Sequence, residues 1–154
     1  MAKEIERKFI VKNDSYRDMA HRQDTIIQAY LSKRPEATVR LRIRDNRGFI
    51  TVKSKNNGPI RNEWEYEIPV HDVENMLEHC QTEGIVINKH RYYVMYDGME
   101  WEVDEFQGAL FPLVLTEIEL ESEDTPIKIP PFVGEEVTHD PRYFNSSLAQ
   151  IIED

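Results

Sequence analysis

The chain has one cysteine, Cys80, among its 154 residues, so no internal disulfide can form. No stretch approaches the roughly 18 to 20 consecutive apolar residues that a membrane helix needs. The segment Met1-Ala2-Lys3-Glu4-Ile5-Glu6 is charged at once and lacks an apolar signal-peptide core. Together these absences lead us to expect a reducing, cytoplasmic setting and no membrane partner. The six glycines are scattered, and none builds a Walker-type phosphate loop. Histidine is equally sparse: His21, His71, His79, His90 and His139 show no metal-ligand spacing, which argues against zinc. Positive charge is in deficit, with 19 Lys and Arg against 29 Asp and Glu. The resulting formal net charge of −10 disfavours broad binding to nucleic acid.

Strand signals dominate what is present. Short β-rich runs of alternating polarity suggest eight strands, at 3–11, 25–32, 38–45, 48–54, 61–69, 86–96, 99–106 and 113–122. Asp45-Asn46-Arg47-Gly48, Asn56-Asn57-Gly58-Pro59 and Asp97-Gly98 read as hairpin turns. Helical spacing predicts helices at 14–22, at 72–81 and near 146–152. In the second of these Val73, Met76, Leu77 and Cys80 form an apolar stripe, which makes Cys80 a small core residue. Pro126, Pro130 and Pro131 mark an extended connection. We expect a single domain over 1–154, a mainly β (α+β) fold in which an antiparallel meander closes into a barrel with a few peripheral helices. An open sheet with one solvated face is the competing architecture.

Residues two apart on a strand share a face. Arg40, Arg42 and Arg44 therefore line up opposite Val39, Leu41 and Ile43, and Glu117, Glu119 and Glu121 opposite Ile118 and Leu120. Glu4, Glu6 and Lys8 form another charged face. Lys53, the set Arg61, Glu63, Glu65 and Glu67, the pair Lys89 and Arg91, and the pair Glu102 and Asp104 form the rest. Any one such face is what a wet sheet surface carries. The segregation of sign by strand is different, because like-charged neighbours repel and a surface built for stability mixes signs. A ligand with both kinds of partner explains it, and a metal–polyphosphate complex is one: guanidinium groups match phosphate oxygens, and carboxylates suit Mg²⁺ or Mn²⁺. Alternation does not say whether these faces point into a barrel or out to bulk water.

Glu4-Ile5-Glu6-Arg7-Lys8-Phe9 resembles the opening signature of the CYTH family, the triphosphate tunnel metalloenzymes. Further matches follow in order: Gln28-Ala29-Tyr30-Leu31, with Ala29 where glycine is commoner, then Val39-Arg40-Leu41-Arg42, Thr51-Val52-Lys53-Ser54 and Arg61 to Ile68. Lys89-His90-Arg91-Tyr92, Trp101 to Phe106, Thr116-Glu117-Ile118-Glu119 and the segment Gly134 to Asn145 complete a resemblance that covers essentially the whole chain. It implies an eight-stranded antiparallel barrel with its charged faces inward, a triphosphate substrate and a divalent cation, one or two ions of Mg²⁺ or Mn²⁺.

Carried onto this sequence, the resemblance implies that Lys8, Arg40, Arg42, Lys53, Lys89 and Arg91 hold phosphate oxygens. Tyr30 is a further substrate contact, or else a barrel-filling residue. Glu4, Glu6, Glu63, Glu65, Glu117 and Glu119 are the expected metal ligands, joined by Asp104. Catalysis is expected to centre on Glu4, Glu6, Lys8, Glu63 and Lys89. Arg44, Arg61, Glu67, Glu102 and Glu121 are expected at the tunnel mouths as solvated charges. Trp64 and Trp101 read as packing residues.

The activity so implied is hydrolysis of inorganic triphosphate to phosphate and pyrophosphate. A class IV type adenylate cyclase or a thiamine or nucleoside triphosphatase would share almost every charged residue. A noncatalytic polyphosphate- or nucleotide-binding module is the reading from another class, although binding alone does not call for six carboxylates facing an anion. An exposed apolar barrel wall leaves room for a homodimer.

Overall fold

The computed structural model describes residues 2–57, 60–144 and 148. Its elements in chain order are β1 (Ala2–Val11), α1 (Tyr16–Met19), β2 (Arg22–Ser32), β3 (Ala37–Arg44), β4 (Arg47–Ser54) and β5 (Ile60–Ile68). These are followed by α2 (Val70–His79), β6 (Glu83–Tyr96), β7 (Met99–Phe106), β8 (Val114–Glu119) and β9 (Val133–Glu136). Hydrogen bonding runs in the order β5-β4-β3-β2-β6-β7-β8-β1, and β1 pairs again with β5. Eight antiparallel strands thus form a closed barrel, and the open-sheet alternative falls away. Closure removes the unpaired edges an open sheet would expose. The ninth strand, β9, is short and lies beside the end of β1, with Phe9 opposite Glu136 and Val11 opposite Val133. Sequence patterning misses it because it has four residues and follows the proline-bearing connection.

Two tight turns form where their chemistry predicts. β3 and β4 are joined by Asp45 and Asn46, with Asp45 at φ 53°. Its side chain accepts from the Thr25 amide at 2.9 Å, which ties the turn to β2. β6 and β7 are joined by Asp97 and Gly98, both with positive φ, the pattern that matches the twist of a two-residue hairpin. The third expected turn, 56–59, lies partly outside the described residues, as does the helix expected near 146–152.

The two described helices differ from expectation. The predicted 14–22 helix is a single turn, because β2 begins at Arg22 and claims the rest. The second helix starts two residues early and ends at His79. Cys80 then turns extended and exposed, so it is not a core residue. Val73 is the buried anchor of α2 and abuts Gly48 of β4, where any Cβ would lie 2.8 Å from the Val73 methyl. Among the described residues no helix is long and apolar enough to cross a membrane.

Apolar packing occurs in two places, and together they position the site. Outside the barrel wall, Phe9, Val94, Trp101, Val103 and Ile118 pack under Tyr16 of α1 and under Phe132. Trp101 is fully buried there, as its packing role requires, whereas Trp64 is half-buried. Inside one end of the barrel, Tyr30, Ile87, Phe106 and Leu115 pack with Leu110 and Leu148. Fully burying one aliphatic side chain contributes about 1.5–3 kcal/mol. This cluster stabilises that end of the barrel, and the charged side chains of the inner face lie beyond it.

Candidate active site

The pleat decides where the charges go. With Phe9, Leu41, Trp101, Val103 and Ile118 facing outward into apolar packing, the alternate residues of the same strands must face in. Accordingly Glu4, Lys8, Arg40, Arg42, Lys89, Arg91 and Asp104 are all buried, despite their charge. Glu6, Lys53, Glu63 and Glu117 are half-buried, while Glu65 and Glu119 are more open to solvent. Residues far apart in sequence meet across neighbouring strands and across the cavity. Lys53 Nζ donates to both oxygens of Glu4 at 3.0 Å. Lys8 Nζ lies 3.6 Å from Glu117 and donates to the Tyr143 carbonyl at 2.8 Å. Arg40 lies 3.5 Å from Glu65 and donates to Thr51.

Asp104 is the most heavily engaged carboxylate. Lys89 Nζ donates to it at 2.7 Å, and Arg91 donates through Nε at 2.7 Å and Nη2 at 2.9 Å. Burial alone would raise its pKa, but the two cations overwhelm that and hold it far below the ordinary carboxylate range. Burial also disfavours the Lys89 ammonium; with Arg91 and Arg42 nearby, its pKa falls to about 7 despite the pull of Asp104.

Arg42 is held differently. Its Nε and Nη2 donate to Oε1 of Gln28 at 3.0 and 2.6 Å, and among the described residues no carboxylate pairs with it. Burial, then Arg40 and Arg91, push its pKa down to about 9, so it stays cationic at neutral pH. Gln28 is fully buried, and among the described residues its Nε2 has no partner, nor does Nε of Arg40. A census of charged residues misses Gln28 because it is neutral. The readable signal was its place two residues from Tyr30, on the same face of the strand. Tyr30 itself sits in the apolar end cluster.

The carboxylates come in facing pairs. Glu6 sits against Glu117 and Glu4 against Glu63, close enough for each to shift the other's titration. In each pair one acid gives way. Burial and the charges of Glu117 and Glu4 push Glu6 well up, while Glu117, though buried, is held low chiefly by Lys8. Burial and Glu4 raise Glu63 to about 7, whereas Lys53 outweighs burial at Glu4 and brings it to about 2. Two carboxylates this close disfavour each other's ionisation, and the lysine beside one member of each pair decides which stays charged. Among the described residues no three acidic, histidine or cysteine side chains converge into a ready-made metal cage. That arrangement still fits Mg²⁺, which is commonly held by one or two carboxylates plus substrate phosphates and water.

Of the charges expected as solvated groups at the mouths, Glu67 and Glu121 are exposed, whereas Arg44, Arg61 and Glu102 are half-buried. Arg44 lies 3.8 Å from Asp24 and stacks on Phe49, Glu67 pairs with Arg47, and Glu102 lies 3.4 Å from Arg91. Arg61 donates to the Ser54 carbonyl and to Thr38, and Glu121 is exposed.

Comparison with known proteins agrees with this geometry. A family model described as the CYTH domain matches residues 2–150. An inorganic triphosphatase of Acetivibrio thermocellus is 44% identical over 150 residues, covering 97% of this chain and 95% of that protein. An inorganic triphosphatase of Nitrosomonas europaea is 40% identical, covering 95% and 96%. A crystal structure of an inorganic triphosphatase superposes with a TM-score of 0.70 at 38% identity, covering 97% of this chain and 95% of that one. With the family model spanning nearly the whole chain and the barrel closed around the charged faces, this protein belongs to the CYTH domain family.

Proposed function

We propose that this protein hydrolyses inorganic triphosphate to phosphate and pyrophosphate, with a divalent cation, inside its barrel. The observation that carries the reading is Arg42: a buried guanidinium with no carboxylate partner among the described residues, beside Arg40 and Arg91. Leaving an ion buried and uncompensated costs several kcal/mol. A fold tolerates that cost where a ligand supplies the missing charge, and a linear anion carrying several charges does so for several cations at once. The activity of the relatives at 40–44% identity supports the same substrate.

Arg40, Arg42, Lys8, Lys89 and Arg91 hold the phosphate oxygens, with Lys53 contributing from its pair with Glu4. Gln28 keeps the Arg42 fork in place without cancelling its charge. Asp104 orients Lys89 and Arg91, so its oxygens serve those cations rather than a metal. Glu4, Glu6, Glu63, Glu65, Glu117 and Glu119 would hold one or two ions of Mg²⁺ or Mn²⁺. When bound, the cation neutralises phosphate oxygens and acidifies coordinated water. Phosphoryl transfer needs mainly positioning and charge stabilisation. The fixed cations align the chain so that water oxygen bonds to a terminal phosphorus as the bridging P–O bond breaks. A glutamate of the paired sets accepts the proton that water gives up, and pyrophosphate leaves with the electrons of the broken P–O bond.

The test is phosphate release from triphosphate, pyrophosphate, ATP and thiamine triphosphate with Mg²⁺ or Mn²⁺. Triphosphate is expected to be cut at least about tenfold more efficiently than the organic esters, since the charged interior side chains match phosphate oxygens and offer nothing to a base or thiazolium. Chelation should abolish turnover. Conversion of ATP to cyclic AMP with little release from triphosphate would overturn the proposal.

A further inference from the structure

A cleft of about 1100 Å³ opens between the β2–β3 connection, the β4–β5 connection and the segment before β6. Its lining includes Lys33, Arg34, Lys55 and Arg61, against a single acid, Glu83. In a chain of formal charge −10, a local excess of three positive charges is a departure that needs a cause. Glu83 is occupied elsewhere, accepting from the backbone amide of Lys33. Among the described residues Lys33, Lys55 and Arg61 have no carboxylate partner, and Arg34 has only a long, exposed contact with Glu36 at 3.9 Å. The arginines of the opposite rim do have acid partners: Arg22 and Arg44 share Asp24, and Arg47 pairs with Glu67.

The cleft adjoins strands that carry the interior cations. Arg61 Nη2 donates to Thr38 Oγ1 at 3.1 Å, and both residues line the cleft. Thr38 and Arg40 share the inner face of β3, two residues and so about 7 Å apart. Cations therefore follow one another from Arg42 through Arg40 and Arg61 to the lysines outside. Unpaired cations at this spacing gain nothing from a neutral nucleoside, and the cleft offers Phe144 as its one aromatic surface.

We propose that this cleft binds the phosphoryl groups of a linear inorganic polyphosphate that run past the three held in the barrel. It thereby sets how well chains longer than triphosphate bind. This rests on the triphosphatase reading and adds to it a site outside the barrel.

The test compares the wild-type protein with Lys33→Ala, Lys55→Ala and the double variant, on triphosphate, tetraphosphate and long-chain polyphosphate. Both lysines stand on connections, and an unchanged melting temperature checks that the variants fold. For the double variant, kcat/KM on triphosphate should stay within about twofold, while KM or inhibition constant for the longer chains rises at least about fivefold, with a steeper salt dependence in the wild type. Equal losses on all three substrates would overturn the proposal, as would a wild-type protein that neither cuts nor is inhibited by the longer chains. Equilibrium binding of tetraphosphate is measured alongside. Failure to cut triphosphate would then remove the triphosphatase reading, and the binding comparison would still decide the cleft.

Discussion

Gln28→Glu should raise the KM for triphosphate by about 30- to 100-fold, the equivalent of losing one charge-assisted hydrogen bond in a buried site. The substitution is nearly isosteric and leaves an acceptor for Arg42 Nε and Nη2, which now sit 3.0 and 2.6 Å from the Gln28 oxygen. What changes is charge. A carboxylate there would give Arg42 the partner it lacks and compete with the substrate for the same guanidinium. Unfolding free energy should hold or rise, because a buried cation gains its counter-ion. Gln28→Leu does the reverse, releasing the fork and keeping its charge, and should raise KM only about tenfold. If Gln28 merely braced the structure, the ranking would invert, with the Glu variant nearly normal and the Leu variant worse. Steady-state kinetics and denaturant unfolding of the two variants separate these outcomes.

Asp104→Asn should be the most destabilising single change in the interior, by about 3–5 kcal/mol, because it strands Lys89 and Arg91 without their shared counter-ion. Both cations are almost wholly buried and have three hydrogen bonds to that one carboxylate. For a domain of this size the loss corresponds to a fall in melting temperature of roughly 6–20 °C. Triphosphate added without metal should recover more of the melting temperature in the variant than in the wild type, since the anion replaces the charge removed. A fall of less than about 1 kcal/mol, the level of a solvated ion pair, would show that these groups are not buried as a unit.

The eight barrel strands were legible because their period-two alternation is strong and their turns carry Asp-Asn and Asp-Gly. The ninth was not, since four residues after a run of prolines leave no alternation to read. Cys80 illustrates a phase error. Val73, Met76, Leu77 and Cys80 do recur at helical spacing, but the helix stops at His79 and the stripe never reaches its last member. Which residues share a face was readable from sequence; which way the face points was not, because alternation is symmetric about the sheet. Burial of Trp101 and Phe9 on one side breaks that symmetry only once the barrel closes. Partnerships set by register stayed hidden for the same reason. Asp104 meets Arg91 because β6 and β7 pair those two positions. Gln28 meets Arg42 because β2 and β3 pair theirs. A neutral side chain has no mark in a count of charges, although it decides what one of the buried arginines is free to bind.

A crystal structure grown with triphosphate and Mn²⁺, with anomalous data at the manganese edge, addresses the central claim most directly. Three phosphorus positions should lie within hydrogen-bonding reach of Arg40, Arg42 and Arg91, and every manganese peak should touch an oxygen of Glu4, Glu6, Glu63, Glu65, Glu117 or Glu119. Triphosphate bound to the outer wall, with Arg42 still contacting only Gln28, would contradict the account.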